Sequence, residues 1–201
     1  MILEHKFDFT NKISKEEIES IPYKFFEGNI VVANNERDTN AICNYLKRQK
    51  ILGFDTETRP NFKKGQRNRV AILQLSTSNE AFIFQLHKTF LPNSLIEVLS
   101  DENIVKAGVA IHDDIKALQK IKPFKPGGFV ELQSFVKKFG IEDASLKKLA
   151  AIILGIRISK SQQLTNWETD KLEEAQKTYA ATDAWVGHQI FSRLNELILN
   201  N

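Results

Sequence analysis

The sequence predicts a single α/β domain with a mixed central sheet flanked by helices. Apolar runs of strand length alternate with stretches whose apolar residues recur every three or four positions, as in helices packed on a sheet. Two neighbouring strands can form an antiparallel hairpin, whereas a later strand lies beyond helical pattern and is expected to run parallel. With 201 residues, of which 42% are hydrophobic, the chain can form one proper core and has little room for a second.

Five segments have the length and composition of β-strands. A loop of residues 59–69 joins the second to the third, and a turn at Ser78 and Asn79 joins the third to the fourth. The fifth is expected to pair in parallel with the second, because helical segments intervene. The predicted strands span residues 30–33, 51–56, 70–77, 81–86 and 104–109.

Six segments have helical periodicity. The fifth begins after the capping signal of Asp143 and Ser145 and ends at Gly155. Residues 1–27 precede these elements, and we expect a short arm that packs on the domain of residues 28–201 or frays from it. The predicted helices span residues 39–49, 93–100, 113–121, 131–139, 146–154 and 169–199.

Composition argues against several classes of protein. A single cysteine, Cys43, rules out a disulfide framework and favours the reducing cytoplasm. That cysteine and four scattered histidines argue against a structural zinc site. The first residues are too polar for a secretory signal, and no apolar run reaches the length of a membrane span. We therefore expect neither zinc nor a membrane among the partners.

The most informative segment is the end of the second predicted strand, where Asp55 and Glu57 follow an apolar run. Side chains alternate faces along a strand, so these two carboxylates project from one side, roughly 6–7 Å apart. Such a pair repels unless a cation lies between them, and oxygen ligands suit magnesium or manganese. The alternative is a strand that simply ends in a polar turn, and Asp-x-Glu alone does not decide between the two.

Tyr179 and Asp183 lie four residues apart on the last predicted helix, and therefore on one face of it. The same face carries apolar residues, so Asp183 falls in the buried stripe, where a carboxylate needs a partner. A hydrogen bond or a neighbouring lysine would satisfy it. A metal ion shared with Asp55 and Glu57 would satisfy all three carboxylates at once.

Two further acids, Asp113 and Asp114, follow the fifth predicted strand in the first turn of a helix. The helix dipole favours acids at this position. Local pattern therefore gives no reason to assign either of them a function.

The order of these motifs resembles the DEDD superfamily of 3'-5' exonucleases, tyrosine branch, which includes the exonuclease domain of the Werner-syndrome helicase and the catalytic domain of ribonuclease D. Asp-x-Glu, a glycine followed six positions later by aspartate, and Tyr-x-x-x-Asp all occur here in the family's order. The resemblance covers roughly residues 28–197 and is not confined to the acids. It includes segments 54–57, 64–66, 70–75, 84–86, 107–109, 166–168 and 179–184.

The resemblance implies a ribonuclease H-like fold and a site for two divalent ions, Mg²⁺ or Mn²⁺. Asp55, Glu57 and Asp183 would be ligands of one ion. Asp55 would bridge to the second ion, which Asp114 would help to hold. Two such ions can generate hydroxide from water and neutralise charge on a phosphodiester undergoing hydrolysis.

The resemblance also separates Asp114 from its neighbour and gives Tyr179 a role. Asp114, rather than Asp113, follows Gly108 by the family's six positions. Tyr179 would hydrogen-bond the attacking water, and a neutral phenol does so without adding negative charge. The sister branch has histidine five residues before the last aspartate, but here that position is Thr178.

Contacts with nucleic acid are predicted mainly in the basic loop. A net charge of +3 indicates a polyanion only weakly, but residues 59–69 hold five cations and one aromatic. Such cations bind phosphates and the aromatic can stack on a base, although a solvated hairpin tip is the alternative. A second polar stretch, residues 157–166, is either a lid or a linker. The predicted contact residues are Thr56, Thr58, Phe62, Lys63, Lys64, Arg67 and Trp167.

Two functions from different classes follow. The first is a metal-dependent 3'-5' exonuclease that releases nucleoside 5'-monophosphates from nucleic acid with a free 3' end, with DNA slightly favoured over RNA. The second is a module of the same fold that binds nucleic acid without catalysis. All four acids and the tyrosine are present, so the resemblance favours the first function. The sequence does not indicate an oligomeric state.

Overall fold

A six-stranded sheet forms the centre of the protein. The computed structural model describes residues 8–58 and 69–200. The predicted second and third strands form an antiparallel pair, and the second and fifth are parallel, so the sheet is mixed as predicted. The strands are β1 (Asn29–Ala33), β2 (Ile51–Thr58), β3 (Val70–Ser76), β4 (Glu80–Gln85), β5 (Val105–Gly108) and β6 (Phe129–Glu131), in the spatial order β1-β4-β3-β2-β5-β6.

Helices cover both faces of this sheet. Two of the helical segments change character along their length, to a 3₁₀ turn at Val136–Phe139 and to a π-helical turn at Ala150–Leu154. The α-helices are α1 (Lys15–Ser20), α2 (Glu36–Leu46), α3 (Leu86–Thr89), α4 (Asn93–Ser100), α5 (Ile111–Ile121), α6 (Leu132–Phe135), α7 (Leu146–Leu149) and α8 (Glu174–Leu199).

The alternation of side chains along β2 divides the core into two layers. Leu52 and Phe54 point into a cluster that also contains buried residues of α2, α4 and α5. The intervening positions face α8, which lies directly on the strand: a Cβ atom at Gly53 would lie 1.8 Å from the carbonyl oxygen of Ala184. Residue 53 therefore has to be glycine for the helix to approach this closely. That approach brings the first turns of α8 over the end of β2.

The described part of the N-terminal arm packs on the domain. The Ile13 amide donates to the Asp143 carboxylate over 2.9 Å, and Phe26 is buried. Tyr23 forms a parallel bridge with Arg157, far away in sequence. The residues before Asp8 lie outside the described ranges.

Several element predictions differ from the structure, and helices α1 and α3 were not predicted. Strand β6 was not predicted, and it begins before Glu131, where a helix was expected. The helix predicted at 169–199 begins only at Glu174, because Glu173 and Gln176 form a capping box there. The predicted helix 146–154 is α-helical only to Leu149.

In the described ranges, no helix combines the length and apolarity that a membrane span requires.

Candidate metal centre

Three carboxylates gather where α8 crosses the end of β2. Asp55 and Glu57 project from the same face of the strand, and Asp183 projects from the third turn of α8. One oxygen of each lies within 4.8 Å of the others. We call Asp55, Glu57 and Asp183 the acidic cluster.

Asp114 reaches this region from the opposite face of β2. Its carboxylate accepts a 2.7 Å hydrogen bond from the hydroxyl of Thr56, the residue between the two acids of the strand. The start of α5 has a different partner: the Glu131 carboxylate accepts from the amides of Ala110 and Ile111. Asp114 thus does not cap α5, although it lies in the first turn, where the helix dipole also favours an acid.

The backbone between β5 and α5 directs Asp114 toward β2. Ala110 has a left-handed conformation, with φ of 61°, which turns the chain sharply from strand to helix. A non-glycine residue is strained in this conformation. The two hydrogen bonds that Glu131 accepts at this turn help to hold it in place.

Burial raises the pKa of every carboxyl group in the acidic cluster, and repulsion by neighbouring carboxylates raises it further for Asp55 and Glu57. Burial is the largest cause for Asp55, whose pKa rises well above its ordinary value, and the charges of Asp183, Glu57 and Asp114 add to it. Burial and the charges of Asp183 and Asp114 raise the pKa of Glu57 to about 9. Without a cation, these groups hold protons that free carboxylic acids would release.

Asp183 is 8% exposed and has two partners that partly offset its burial. Its carboxylate accepts a hydrogen bond from the Tyr179 hydroxyl, and the charge of Lys160 acts in the same direction. Burial still dominates and raises the pKa of Asp183 to about 7. The hydrogen bond and the lysine that the sequence allowed as partners are thus both present, yet the pKa of Asp183 stays above that of an ordinary carboxylic acid.

Tyr179 completes the group of polar side chains above the strand. Burial, together with the charges of Asp183 and Glu57, raises the pKa of its hydroxyl far above the ordinary value. The phenol is therefore neutral at any physiological pH. Its ring packs 6.0 Å from the indole of Trp167, centroid to centroid, which fixes its position.

The donor set fits a divalent cation. Carboxylate oxygens are the preferred ligands of magnesium and manganese. A cation placed among them would remove the repulsion and the desolvation that raise the pKa values of the acidic cluster. The hydrogen bond from Thr56 to Asp114 and the close packing of α8 on Gly53 hold these carboxylates in position.

A cavity of about 250 Å³ opens onto these acids, and we call it the acidic cavity. Ser159, Lys160 and Gln163 line it opposite β2, so the polar stretch 157–166 forms a wall of the site. Among the described residues that line this cavity, Lys160 is the one with a cationic side chain. Sequence reasoning did not assign it a role, because a single lysine in a polar segment gives no signal.

The structure brings Asp55, Glu57, Tyr179 and Asp183 to one place, whereas Asp114 lies behind Thr56, outside the acidic cluster and the lining of the acidic cavity. The predicted nucleic-acid contacts have different environments. Thr56 lines the acidic cavity, and Thr58 is exposed at the end of β2. The contact prediction for Trp167 is wrong: its indole is completely buried, among apolar residues that include Leu172, and supports Tyr179 instead. Four further predicted contacts lie outside the described residues, namely Phe62, Lys63, Lys64 and Arg67.

Two residues beside the site were not predicted. Glu131 orders the turn that precedes Asp114, as described above. Gln74 is the cross-strand neighbour of Asp55 and is completely buried, and its amide has no partner within the described structure. Only the three-dimensional pairing of the strands reveals that this glutamine stands beside Asp55.

Comparisons with known proteins identify the family of the chain. The family model described as 3'-5' exonuclease matches residues 30–199. The bifunctional 3'-5' exonuclease/ATP-dependent helicase WRN of Mus musculus is 32% identical over 189 residues, which are 89% of this chain and 14% of the mouse protein. The chain thus spans a small part of that relative.

Solved structures show the same fold. The EXO domain of Aedes aegypti Nibbler superposes with a TM-score of 0.75 at 22% identity, covering 89% of this chain and 93% of that one. Escherichia coli RNase D, an exoribonuclease involved in structured RNA processing, superposes with a TM-score of 0.74 at 18% identity, covering 85% of this chain and 44% of its own. At these identities the likeness concerns the fold, which is the ribonuclease H-like fold predicted from sequence.

Proposed function

Because the chain belongs to the 3'-5' exonuclease family, we propose that it hydrolyses the last phosphodiester bond at the 3' end of a nucleic acid and releases a nucleoside 5'-monophosphate. We assign the activity to residues 28–201. The observation that carries the proposal is the acidic cluster, with oxygens within 4.8 Å of one another, beside a neutral phenol at the mouth of a cavity.

The carboxylates are the residues that would hold the cofactor. Asp55, Glu57 and Asp183 would bind one Mg²⁺ or Mn²⁺ ion, and Asp55 and Asp114 a second. When bound, such ions lower the pKa of water and neutralise charge on the attacking and leaving oxygens. The protein contributes the fixed positions of these ligands, which β2, α5 and α8 set independently of the substrate.

Tyr179 would orient the attacking water. Its phenol is neutral and lies next to Asp183, so it can donate to or accept from a water without adding charge. In the structure the hydroxyl donates to Asp183, and it would exchange this bond for one with the water. The buried Trp167 behind the ring limits how far the phenol moves.

Hydrolysis then requires the water oxygen to bond to phosphorus while the bond from phosphorus to the 3' oxygen breaks. The water gives up a proton, and the departing 3' oxygen takes one, so the shortened strand ends in a new 3' hydroxyl. Lys160, across the cavity from the carboxylates, would attract the scissile phosphate. Further phosphates would be bound by the basic loop of residues 59–69.

The substrate is proposed to be DNA first and RNA second. Only RNA carries a 2' hydroxyl, so strands of both kinds belong in the same test. The experiment uses strands labelled at the 5' end, single-stranded or recessed, of DNA and RNA. Each is incubated with magnesium, manganese or EDTA.

The expected result is a ladder that shortens from the 3' end, requires the metal and disappears in Asp55→Asn. Strands labelled at the 3' end should release labelled mononucleotide first. Binding without degradation in every condition would contradict the proposal and favour a module that binds nucleic acid without catalysis. Internal cleavage would contradict the exonuclease assignment alone.

A further inference from the structure

A second cavity, of about 340 Å³, adjoins the acidic cavity, and we call it the aromatic cavity. It lies between the N-terminal arm and the first turns of α8. Ser159, Tyr179 and Asp183 line both cavities, so a molecule that fills the second one lies beside the acidic cluster. The family motifs found in the sequence include no residue from the arm side of this space.

The arm presents two aromatic rings to this cavity. Tyr23 is 49% exposed and Phe25 is 42% exposed, although both are large apolar side chains. Their ring centroids lie 6.0 Å apart. Aromatic side chains left open to water beside a reaction site are available for stacking on a ligand.

The backbone that carries these rings is fixed on both sides. The amide of Lys24 donates to the carbonyl of Arg157, and the amide of Arg157 donates to the carbonyl of Pro22, each over 2.9 Å. One residue further, the amide of Phe26 donates to the hydroxyl of Thr182 over 3.0 Å, immediately before Asp183. The rings are thus exposed on a rigid support, which lowers the entropic cost of binding.

The charge of the cavity selects the chemistry of its occupant. Among the described residues that line it, none is cationic; of its two acids, Glu174 is paired with Lys177 and Asp183 belongs to the acidic cluster. The Arg157 guanidinium lies outside this lining, 5.8 Å from the centroid of the Tyr23 ring. Lys160 lines the acidic cavity instead, so a phosphate is favoured on the Lys160 side. A neutral, planar, aromatic group suits the space between Tyr23, Phe25 and α8.

We propose that the aromatic cavity is a subsite for one unpaired nucleobase, next to the scissile phosphate, which stacks on Tyr23 or Phe25. Its volume lies near the lower limit of small-ligand pockets, about 300–1,000 Å³, and suits one nucleotide. The hydroxyls of Ser159, Ser161 and Thr178 lie around it and can meet the polar edge of a base. A paired base cannot enter, so the subsite requires a single-stranded or frayed end. This inference rests on the proposed function.

The test is a double-mutant cycle in which one change is made in the protein and the other in the substrate. Single-stranded DNA is compared with the same strand carrying an abasic nucleotide at the last or at the second-last position. Each strand is tested with the wild type and with the double variant Tyr23→Ala/Phe25→Ala. KM and kcat are measured in Mg²⁺, and binding is measured by fluorescence anisotropy in Ca²⁺. Phe90→Ala is the matched control, since Phe90 is 69% exposed and lines neither cavity.

In the wild type, an abasic nucleotide at one of the two positions should weaken binding and raise KM about ten-fold, the loss of one stacked base. The double variant should weaken binding of intact DNA by a similar factor, and the abasic strand should then show no further penalty. Phe90→Ala should behave as wild type. The subsite is overturned if the penalty of the abasic nucleotide and that of the double variant simply add at both positions of the strand. It is also overturned if the double variant binds intact DNA as tightly as the wild type.

The binding arm keeps this test separate from the proposed function. If the wild type degrades no strand, the exonuclease proposal fails, while the binding cycle still decides about the subsite. If strands are degraded but the cycle shows no coupling, the subsite alone fails. Tyr23→Leu/Phe25→Leu repeats the cycle with apolar side chains that cannot stack, and it replaces the alanine variant if that variant has a lowered Tm.

Discussion

At the scale of single residues, the two neighbouring acids of α5 provide the sharpest contrast. Asp114 accepts from Thr56 beside the acidic cluster, whereas Asp113 is an exposed side chain in an ion pair with Lys116. We expect Asp114→Asn to lower the rate of hydrolysis by roughly 10²-fold or more, since it removes charge that would hold a cation.

Asp113→Asn is the matched control, because it makes the same chemical change one residue away. It should retain the wild-type rate in a single-turnover assay. Equal losses in both variants would show that α5, rather than the carboxylate of Asp114, is responsible. Equal activity in both would remove Asp114 from the site.

Tyr179→Phe removes one hydroxyl and leaves the ring against Trp167. If the phenol orients water, the rate should fall by about 10²-fold while the affinity for Mn²⁺ stays unchanged. Single-turnover rates and Mn²⁺ titrations of the same preparation separate these two effects. A large loss of Mn²⁺ affinity would instead assign Tyr179 to metal binding.

At the scale of elements, the contact between β2 and α8 determines the distance between the acids. A Cβ atom at Gly53 would overlap the carbonyl of Ala184, so Gly53→Ala must displace the helix that carries Asp183. We expect a loss of about 1–3 kcal/mol in the free energy of unfolding, as for other overpacked cores. Metal affinity should fall as well.

Gly127→Ala is the control for this change. A Cβ atom there would meet the carbonyl oxygen of Ser100 at 2.2 Å, a comparable overlap remote from α8. Chemical denaturation and Mn²⁺ titration of both variants should show similar destabilisation but a loss of metal affinity only in Gly53→Ala. Unchanged metal affinity in Gly53→Ala would show that the acidic cluster tolerates movement of the helix.

The elements also show what periodicity can and cannot predict. Asp55 with Glu57, and Tyr179 with Asp183, were placed correctly because strand and helix spacing fix which side chains share a face. Strand β6 has only three residues, too few for any alternation to be visible. Trp167 lies in an irregular segment, where no period indicates whether a side chain is buried, and its role was predicted wrongly.

At the scale of the whole molecule, the acidic cluster links stability to pH. The pKa of Asp183 is raised to about 7 and that of Glu57 to about 9, whereas both would be ordinary in the unfolded chain. Between about pH 4 and pH 9 the folded protein therefore holds protons that the unfolded chain releases. Stability must fall as pH rises through this range, because the unfolded state binds fewer protons.

The Tm of the metal-free protein should accordingly fall between pH 5 and pH 9. Saturating Mg²⁺ should flatten this slope, since a bound cation replaces the protons. Asp183→Asn should also reduce the dependence of Tm on pH, because it removes one of the carboxyl groups whose pKa is raised by folding. A Tm that rises with pH in EDTA would contradict the repulsion on which the site rests.

The arrangement of distant segments is the part that the sequence could not supply. Asp114 reaches β2 through the left-handed turn at Ala110 and the carboxylate of Glu131, and neither has a local signal. The aromatic cavity depends on the pairing of Tyr23 with Arg157, which only the folded chain reveals. The resemblance identified Asp114, but it did not identify the surfaces around it.

The central claim is that the acidic cluster and Asp114 bind the two divalent ions that make hydrolysis possible. The most direct measurement counts bound Mn²⁺ by electron paramagnetic resonance during titration of the wild type and of Asp183→Asn. The prediction is two ions for the wild type and fewer for the variant, together with loss of hydrolysis in the variant. Equal Mn²⁺ binding by both proteins, or no binding by the wild type, would contradict the claim.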